Sequence, residues 1–177
     1  MNVLRTIAMI ALPLALTVAC SATDPADDST RRQVQEAADR EQITTLVYRL
    51  GAAFDEKRFD ELHSILAADA TTTTPGGQQA GRDAMIAQAI KIHSDMYRIQ
   101  HIMSNIDIEL NGDQAGVRLN AIAYFAPAGI SPSPVAPAPQ LTIGEVYRLE
   151  AKRTPDGWRL SRVQSTPIWE TGTRPAM

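Results

Sequence analysis

HIMSNIDIELNGDQAGVRLNAIAYF, residues 101–125, decides the architecture of this chain. Two long segments, His101 to Leu110 and Ala115 to Phe125, are rich in β-branched and apolar residues and are separated by Asn111-Gly112-Asp113. An Asn-Gly pair supplies the positive φ values that a tight hairpin needs, so the two segments read as antiparallel strands. The same pattern recurs downstream, where Leu141 to Arg153 and Trp158 to Trp169 flank Thr154-Pro155-Asp156-Gly157. Four long strands in a meander are therefore predicted for the C-terminal part.

The N-terminal half has a different period. From Val34 to Phe54 the apolar residues Ile43, Leu46, Val47, Leu50 and Phe54 recur at helical spacing, which predicts one long amphipathic helix. A short helix is predicted from about Phe59 to Leu66, with Asp60 and Glu61 suiting its N-terminal dipole. Ala70 to Thr74 is a β-branched strand ending at Pro75-Gly76-Gly77, and Gly81-Arg82-Asp83 opens a third helix to about Ser94. Three helices before a meander make an α+β domain, a curved antiparallel sheet packed on helices, over residues 34–172 with a tail at 173–177. Pro127, Pro132, Pro134, Pro137 and Pro139 interrupt the meander, and such a segment is either a variable surface loop or a lid over a pocket.

Composition narrows the function classes. Arg5 followed by the apolar run Ile7 to Ala19, broken only by Pro13, reads as an export signal of residues 1–19, too short to be a permanent bilayer span. Leu16-Thr17-Val18-Ala19-Cys20 resembles a bacterial lipobox, so that Cys20 is expected to carry a lipid and hold the protein on a membrane of the cell envelope; ordinary cleavage after Ala19 or Ala22 is the alternative. Residues 20–33 are small, polar and acidic and read as a flexible tether. Without the signal the chain keeps 16 basic and 20 acidic side chains, with no basic stripe, which argues against nucleic acid. A single cysteine excludes an internal disulfide, and a chain of this size can bury a core without one.

Several short motifs fall in a familiar order: Asp39-Arg40-Glu41-Gln42-Ile43, Phe54-Asp55-Glu56-Lys57-Arg58-Phe59-Asp60-Glu61-Leu62, Gly81-Arg82-Asp83-Ala84, Gln100-His101-Ile102-Met103-Ser104-Asn105 and Gly157-Trp158-Arg159-Leu160. In this order and spacing the chain resembles SnoaL-like proteins of the nuclear transport factor 2-like superfamily, in their scytalone-dehydratase-like branch. The resemblance implies a cone-shaped roll, a bent sheet around three N-terminal helices, with an apolar cavity open at one end. It also implies a pocket pair, Asp55 at the end of the first helix and His101 at the entrance of the sheet. Those relatives carry a second pocket histidine on the following strand, where this chain has Val117-Arg118-Leu119-Asn120, and a tyrosine where it has Phe54.

The chemistry of such a pair is proton transfer, because imidazole titrates near neutral pH and a carboxylate can orient it. Asp55 could equally cap the second helix or face solvent, and His101 could be a sheet histidine satisfied by a backbone carbonyl. Residues two apart on a strand share a face, which adds Met103 and Asn105 beside His101, and Glu145 with Tyr147, while Asn120 remains as a hydrogen-bond donor. His63 and His93 lack metal-ligand spacing, and neither metal nor cofactor is expected. Two functions fit: an exported module that binds a small apolar ligand or assembles, as a homodimer through its exposed sheet face, or a cofactor-independent lyase or isomerase using Asp55 and His101.

Overall fold

A computed structural model describes residues 25–173 except 94, 96 and 129–134. Cys20 and the signal sequence lie outside the described residues, as do 129–134 of the proline-rich connection and the tail from 174.

The long helix α1 spans Pro25–Asp55. A 3-10 turn at Phe59–Glu61 leads into the one-turn helix α2, Leu62–Ile65, and then into strand β1, Leu66–Thr74. Strand β2 is Gly77–Ala80 and helix α3 is Arg82–Ile92. The meander follows as β3 Tyr97–Asn111, β4 Gln114–Pro127, β5 Leu141–Thr154 and β6 Gly157–Gly172.

One six-stranded sheet has the order β2-β1-β6-β5-β4-β3. Every neighbouring pair is antiparallel except β1 and β6, which run parallel and carry a register shift between Leu66 and Thr71. Further shifts in the β5–β6 pair, at Gly144/Glu145 and Glu150/Ala151, add bend to the twist of the sheet, as bulges do. The helices fill the inner face. Ile43, Val47 and Leu50 of α1 meet Leu119, Leu149, Trp158 and Leu160, all at most 2% exposed, in one continuous core. This is the α+β cone that the sequence implied.

Two features differ from the sequence reading. Residues 25–33, expected to be tether, are helical and continue α1. Their local chemistry favours it: proline is tolerated in the first turn, Asp27 and Asp28 sit at the positive end of the dipole, and Arg31 bonds both acids one turn back. This part of α1 is largely exposed, so the composition argument against burial holds even though the backbone is ordered. The second difference is β2, which pairs with β1 across the Pro75-Gly76 turn although Gly-Gln-Gln-Ala has no β-branched residue.

Candidate active site

Asp55 is the last residue of α1, where the helix ends because Lys57 takes a positive φ of 56°. A carboxylate at the negative end of a helix dipole is unfavourable unless something else holds it. Here the holder is His101. Its backbone N–H donates to both carboxylate oxygens, at 3.0 and 2.9 Å, and its Nδ1 lies 2.6 Å from Asp55 Oδ1. β3 is an edge strand, so this N–H points off the sheet, and Asp55 satisfies an edge that would otherwise be bare.

The contact fixes the tautomer. An ionised carboxylate only accepts hydrogen bonds, so in the neutral ring Nδ1 carries the proton and Nε2 is left with the lone pair. The His101 side chain is 4% exposed and that of Asp55 is 20% exposed, so the pair sits just under the surface. Close packing of α1 on β3 is possible at Gly51, where a Cβ would stand 3.2 Å from Met103 Cε and 3.9 Å from His101 Cβ.

A second imidazole comes from an element that the motif order does not indicate. His93, just past the end of α3, stacks on Phe54 with ring centroids 4.6 Å apart and lies 5.9 Å from the His101 ring. Its Nδ1 is 2.8 Å from the carbonyl of Ala89, a contact in which the ring must donate. Burial pushes its pKa down from near 6.5 to about 4, against the opposing pull of the Ala89 carbonyl, so it is neutral at pH 7. The chain therefore has two histidines at the site, and the position on β4 that Asn120 was expected to serve is not one of them.

Glu145 and Tyr147 are on the inner face, as strand parity indicated. Glu145 lies in register with Ala121 and Tyr147 with Leu119, both inner-face residues of β4. Burial raises the carboxyl of Glu145 above the usual carboxylate range, with opposing contributions from His101 and from the Tyr147 hydroxyl. Burial likewise raises the Tyr147 phenol well above its ordinary value, with Glu145 adding to the effect. Met103 is half-buried against the core beside the pair.

Two expected pocket residues are misplaced. Asn105 is exposed, because β3 bulges between Ser104 and Asp107 and Asn105 adopts a left-handed φ of 52°. The inward-facing set thereby switches from Ile99, His101 and Met103 to Ile106, Ile108 and Leu110. Asn120 falls between the buried Leu119 and Ala121 and pairs with Ser104, so it belongs to the outer face. Tyr48 is 54% exposed and does not join the site. Two clefts, of about 620 and 310 Å³, lie along the outer face of the sheet around Glu109, Gly116 and Glu150, and neither is lined by Asp55 or His101.

The inward histidine gives a pH prediction. Because the folded pKa of His93 is depressed, the unfolded chain binds a proton that the folded chain refuses between pH 6.5 and about 4. Its contribution to stability is complete above 6.5 and is lost on acidification through that window, amounting to roughly 3 kcal/mol. Urea unfolding at pH 7 and pH 4 should show a smaller acid loss in His93→Leu than in the wild type; equal losses would remove His93 as the cause.

The SnoaL-like domain family matches residues 35–164. The uncharacterized protein Rv2910c of Mycobacterium tuberculosis is 28% identical over 145 residues, covering 81% of this chain and 95% of that protein. Among solved structures, Kfla4162 of Kribbella flavida superposes with a TM-score of 0.67 at 20% identity, covering 77% of this chain and 95% of the other. A hexachlorocyclohexane dehydrochlorinase, LinA-type3 of Novosphingobium barchaimii, gives 0.67 at 18% identity, with 80% and 94% covered. These two likenesses concern fold, whereas the family match spans most of the chain and agrees with the cone described above. The chain belongs to the SnoaL-like domain family.

Proposed function

We propose that this protein is a cofactor-independent lyase or isomerase that removes a proton from carbon in a small, largely apolar molecule. The observation that carries this reading is the 2.6 Å contact between Asp55 and His101 Nδ1, which leaves Nε2 as the base and holds the imidazolium once it forms. The Phe54 ring and the neutral His93 ring lie 6.0 and 5.9 Å from the His101 ring, whose side chain is only 4% exposed, so a charge developing on the imidazole is largely shielded from water. A structural neighbour named as a dehydrochlorinase is compatible with elimination chemistry on this fold. Export and anchoring through Cys20 belong to the same proposal and rest on sequence; the intact mass of membrane-extracted protein checks them, and an unlipidated chain beginning at Ala22 would refute the anchor.

The test uses a substrate that reports proton abstraction without a specific pocket. Ring opening of 5-nitrobenzisoxazole by a base is followed by absorbance, and the purified protein is expected to accelerate it over acetate and imidazole buffers in a His101-dependent way. No acceleration, or acceleration unaffected by His101→Gln, refutes the reading.

A second reading is a non-catalytic module that binds an apolar ligand or assembles through its sheet. It is favoured by Ile102 and Trp169, 45% and 48% exposed on the outer face, and by clefts that open on that face rather than at the pair. Sedimentation velocity separates the two: this reading expects a dimer that Trp169→Glu dissociates, together with no turnover.

A further inference from the structure

We propose that the outer face of the sheet carries a glycan-binding platform built on Trp169, which takes a neutral sugar ring with equatorial hydroxyls by stacking. This surface lies across the sheet from Asp55 and His101 and is independent of their chemistry.

Two features of the backbone put the indole there. In the β5–β6 pair Gly144 is in register with Trp169 but Glu145 with Pro167, so Ile168 is an extra residue on β6. Without it Trp169 would follow Ser165 and Pro167 onto the inner face; the bulge re-aims it outward. The second feature is Gly144 itself. A Cβ at this position would collide with Cε2, Nε1 and Cζ2 of Trp169, three consecutive ring atoms at nearly equal distances from it. Such equality arises when an atom stands over the face of a ring rather than beside its edge, so the indole lies flat on the glycine backbone. A glycine inside a strand marks this kind of close approach. One face of the ring is thus seated on the sheet while the other is turned to solvent, and Trp169 is 48% exposed.

The surroundings select the occupant. The indole shares its row with Ile102 and Ile122, and the flanking rows, from Gln100 to Thr171 and from Ser104 to Thr166, contain no charged side chain. Apart from Val146 they offer hydroxyls and amides, and charges begin only in the next row, at Asp107, Arg118 and Arg148. Asn120 and Tyr124 on β4 stand diagonally from Gly144, about 7 to 8 Å away, on either side of Ile122. A sugar ring with equatorial hydroxyls complements this layout. Its faces are C–H bonds, which suit the negative face of an indole, and its polar groups form a rim that Asn120 and Tyr124 can hydrogen-bond. An acyl chain would leave those rim groups without partners, and a charged ligand would find no counter-ion there.

The full chain is titrated with chitotetraose and with cellotetraose, and iodide quenching of tryptophan fluorescence is the readout. Trp158 is 2% exposed, so the quenched signal is that of Trp169. At least one of the two sugars is expected to protect Trp169 from iodide, and His101→Gln to leave that protection unchanged. Gly144→Ala keeps the indole but unseats it, and should weaken binding at least about 10-fold; Asn120→Ala should weaken it about 3- to 10-fold. No protection by either sugar overturns the assignment, as does protection that survives both substitutions or that His101→Gln abolishes. A dimer in sedimentation velocity that hides the indole from iodide without sugar, and that Trp169→Glu dissociates, also overturns it by giving this face to a second copy. If Gly144→Ala fails to fold, saturation-transfer NMR on the sugar with Trp169→Ala decides, with loss of transfer expected and retained transfer refuting the platform.

Discussion

His101→Gln should reduce base-catalysed ring opening of 5-nitrobenzisoxazole by 10²- to 10⁴-fold, the range that a positioned general base contributes. Glutamine keeps much of the side-chain volume and can still donate to Asp55, so the fold is preserved while the proton acceptor is lost. Asp55→Asn provides the complementary measurement. An asparagine can still accept the backbone N–H of His101, which Asp55 now receives at 2.9 to 3.0 Å, but its amide has no charge to stabilise the imidazolium. It can also donate to Nδ1, which favours the tautomer with the proton on Nε2 and removes the lone pair from the substrate side. A loss on the order of 10²-fold is expected, with thermal unfolding close to wild type. A full-rate Asp55→Asn would mean that the carboxylate only ties α1 to the edge of the sheet.

Asp39→Ala is expected to destabilise the fold markedly. Asp39 is 4% exposed and accepts from Trp158 Nε1 at 3.0 Å, Arg153 Nη2 at 2.6 Å and Gln35 Nε2 at 3.0 Å. Arg153 also lies over the Trp158 ring, 4.7 Å from its centroid, and bonds Asp113 at 2.9 Å. One carboxylate thus joins α1 to β5 and β6 and to the β3–β4 turn. Its removal strands a buried indole N–H, while the partly exposed Arg153 keeps Asp113, at a cost of about 2 to 3 kcal/mol. Denaturant unfolding should show the shift in midpoint, and a change below about 1 kcal/mol would contradict this account. The Arg153 hydrogen bond holds the Asp39 carboxyl below the usual carboxylate range, so its contribution is present at neutral pH and is lost as pH falls through that lowered value.

The fold was legible because its punctuation is local. Asn111-Gly112 and Asp156-Gly157 mark hairpins by the backbone angles they permit, and Gly112 and Gly157 indeed adopt φ of 60° and 97°. The site was legible in part, and through family resemblance: Asp55 and His101 are 46 residues apart, and no periodicity relates them. Strand parity placed Met103, Glu145 and Tyr147 correctly but failed at Asn105, because parity survives only while the ladder is regular. The switch has a trace in the sequence, since the apolar residues change from odd to even positions at Ile106, Ile108 and Leu110. Strand β2 and His93 left no such trace. The first forms because β1 offers it an edge, and the second reaches the site through the packing of α3 on β1, neither of which a local pattern encodes.

The parallel pairing of β1 with β6 means that the sheet cannot close until β6 has been made. Thr72 meets Val163 across 91 residues, and β6, the last of the described strands, takes an interior place between β1 and β5. Until it arrives, both neighbours present unsatisfied backbone, and the ring-closing entropy of so long a segment slows the search. Loss of the C-terminal strand would therefore split the sheet down its middle and expose two sticky seams, a route to self-association rather than to a smaller stable fold.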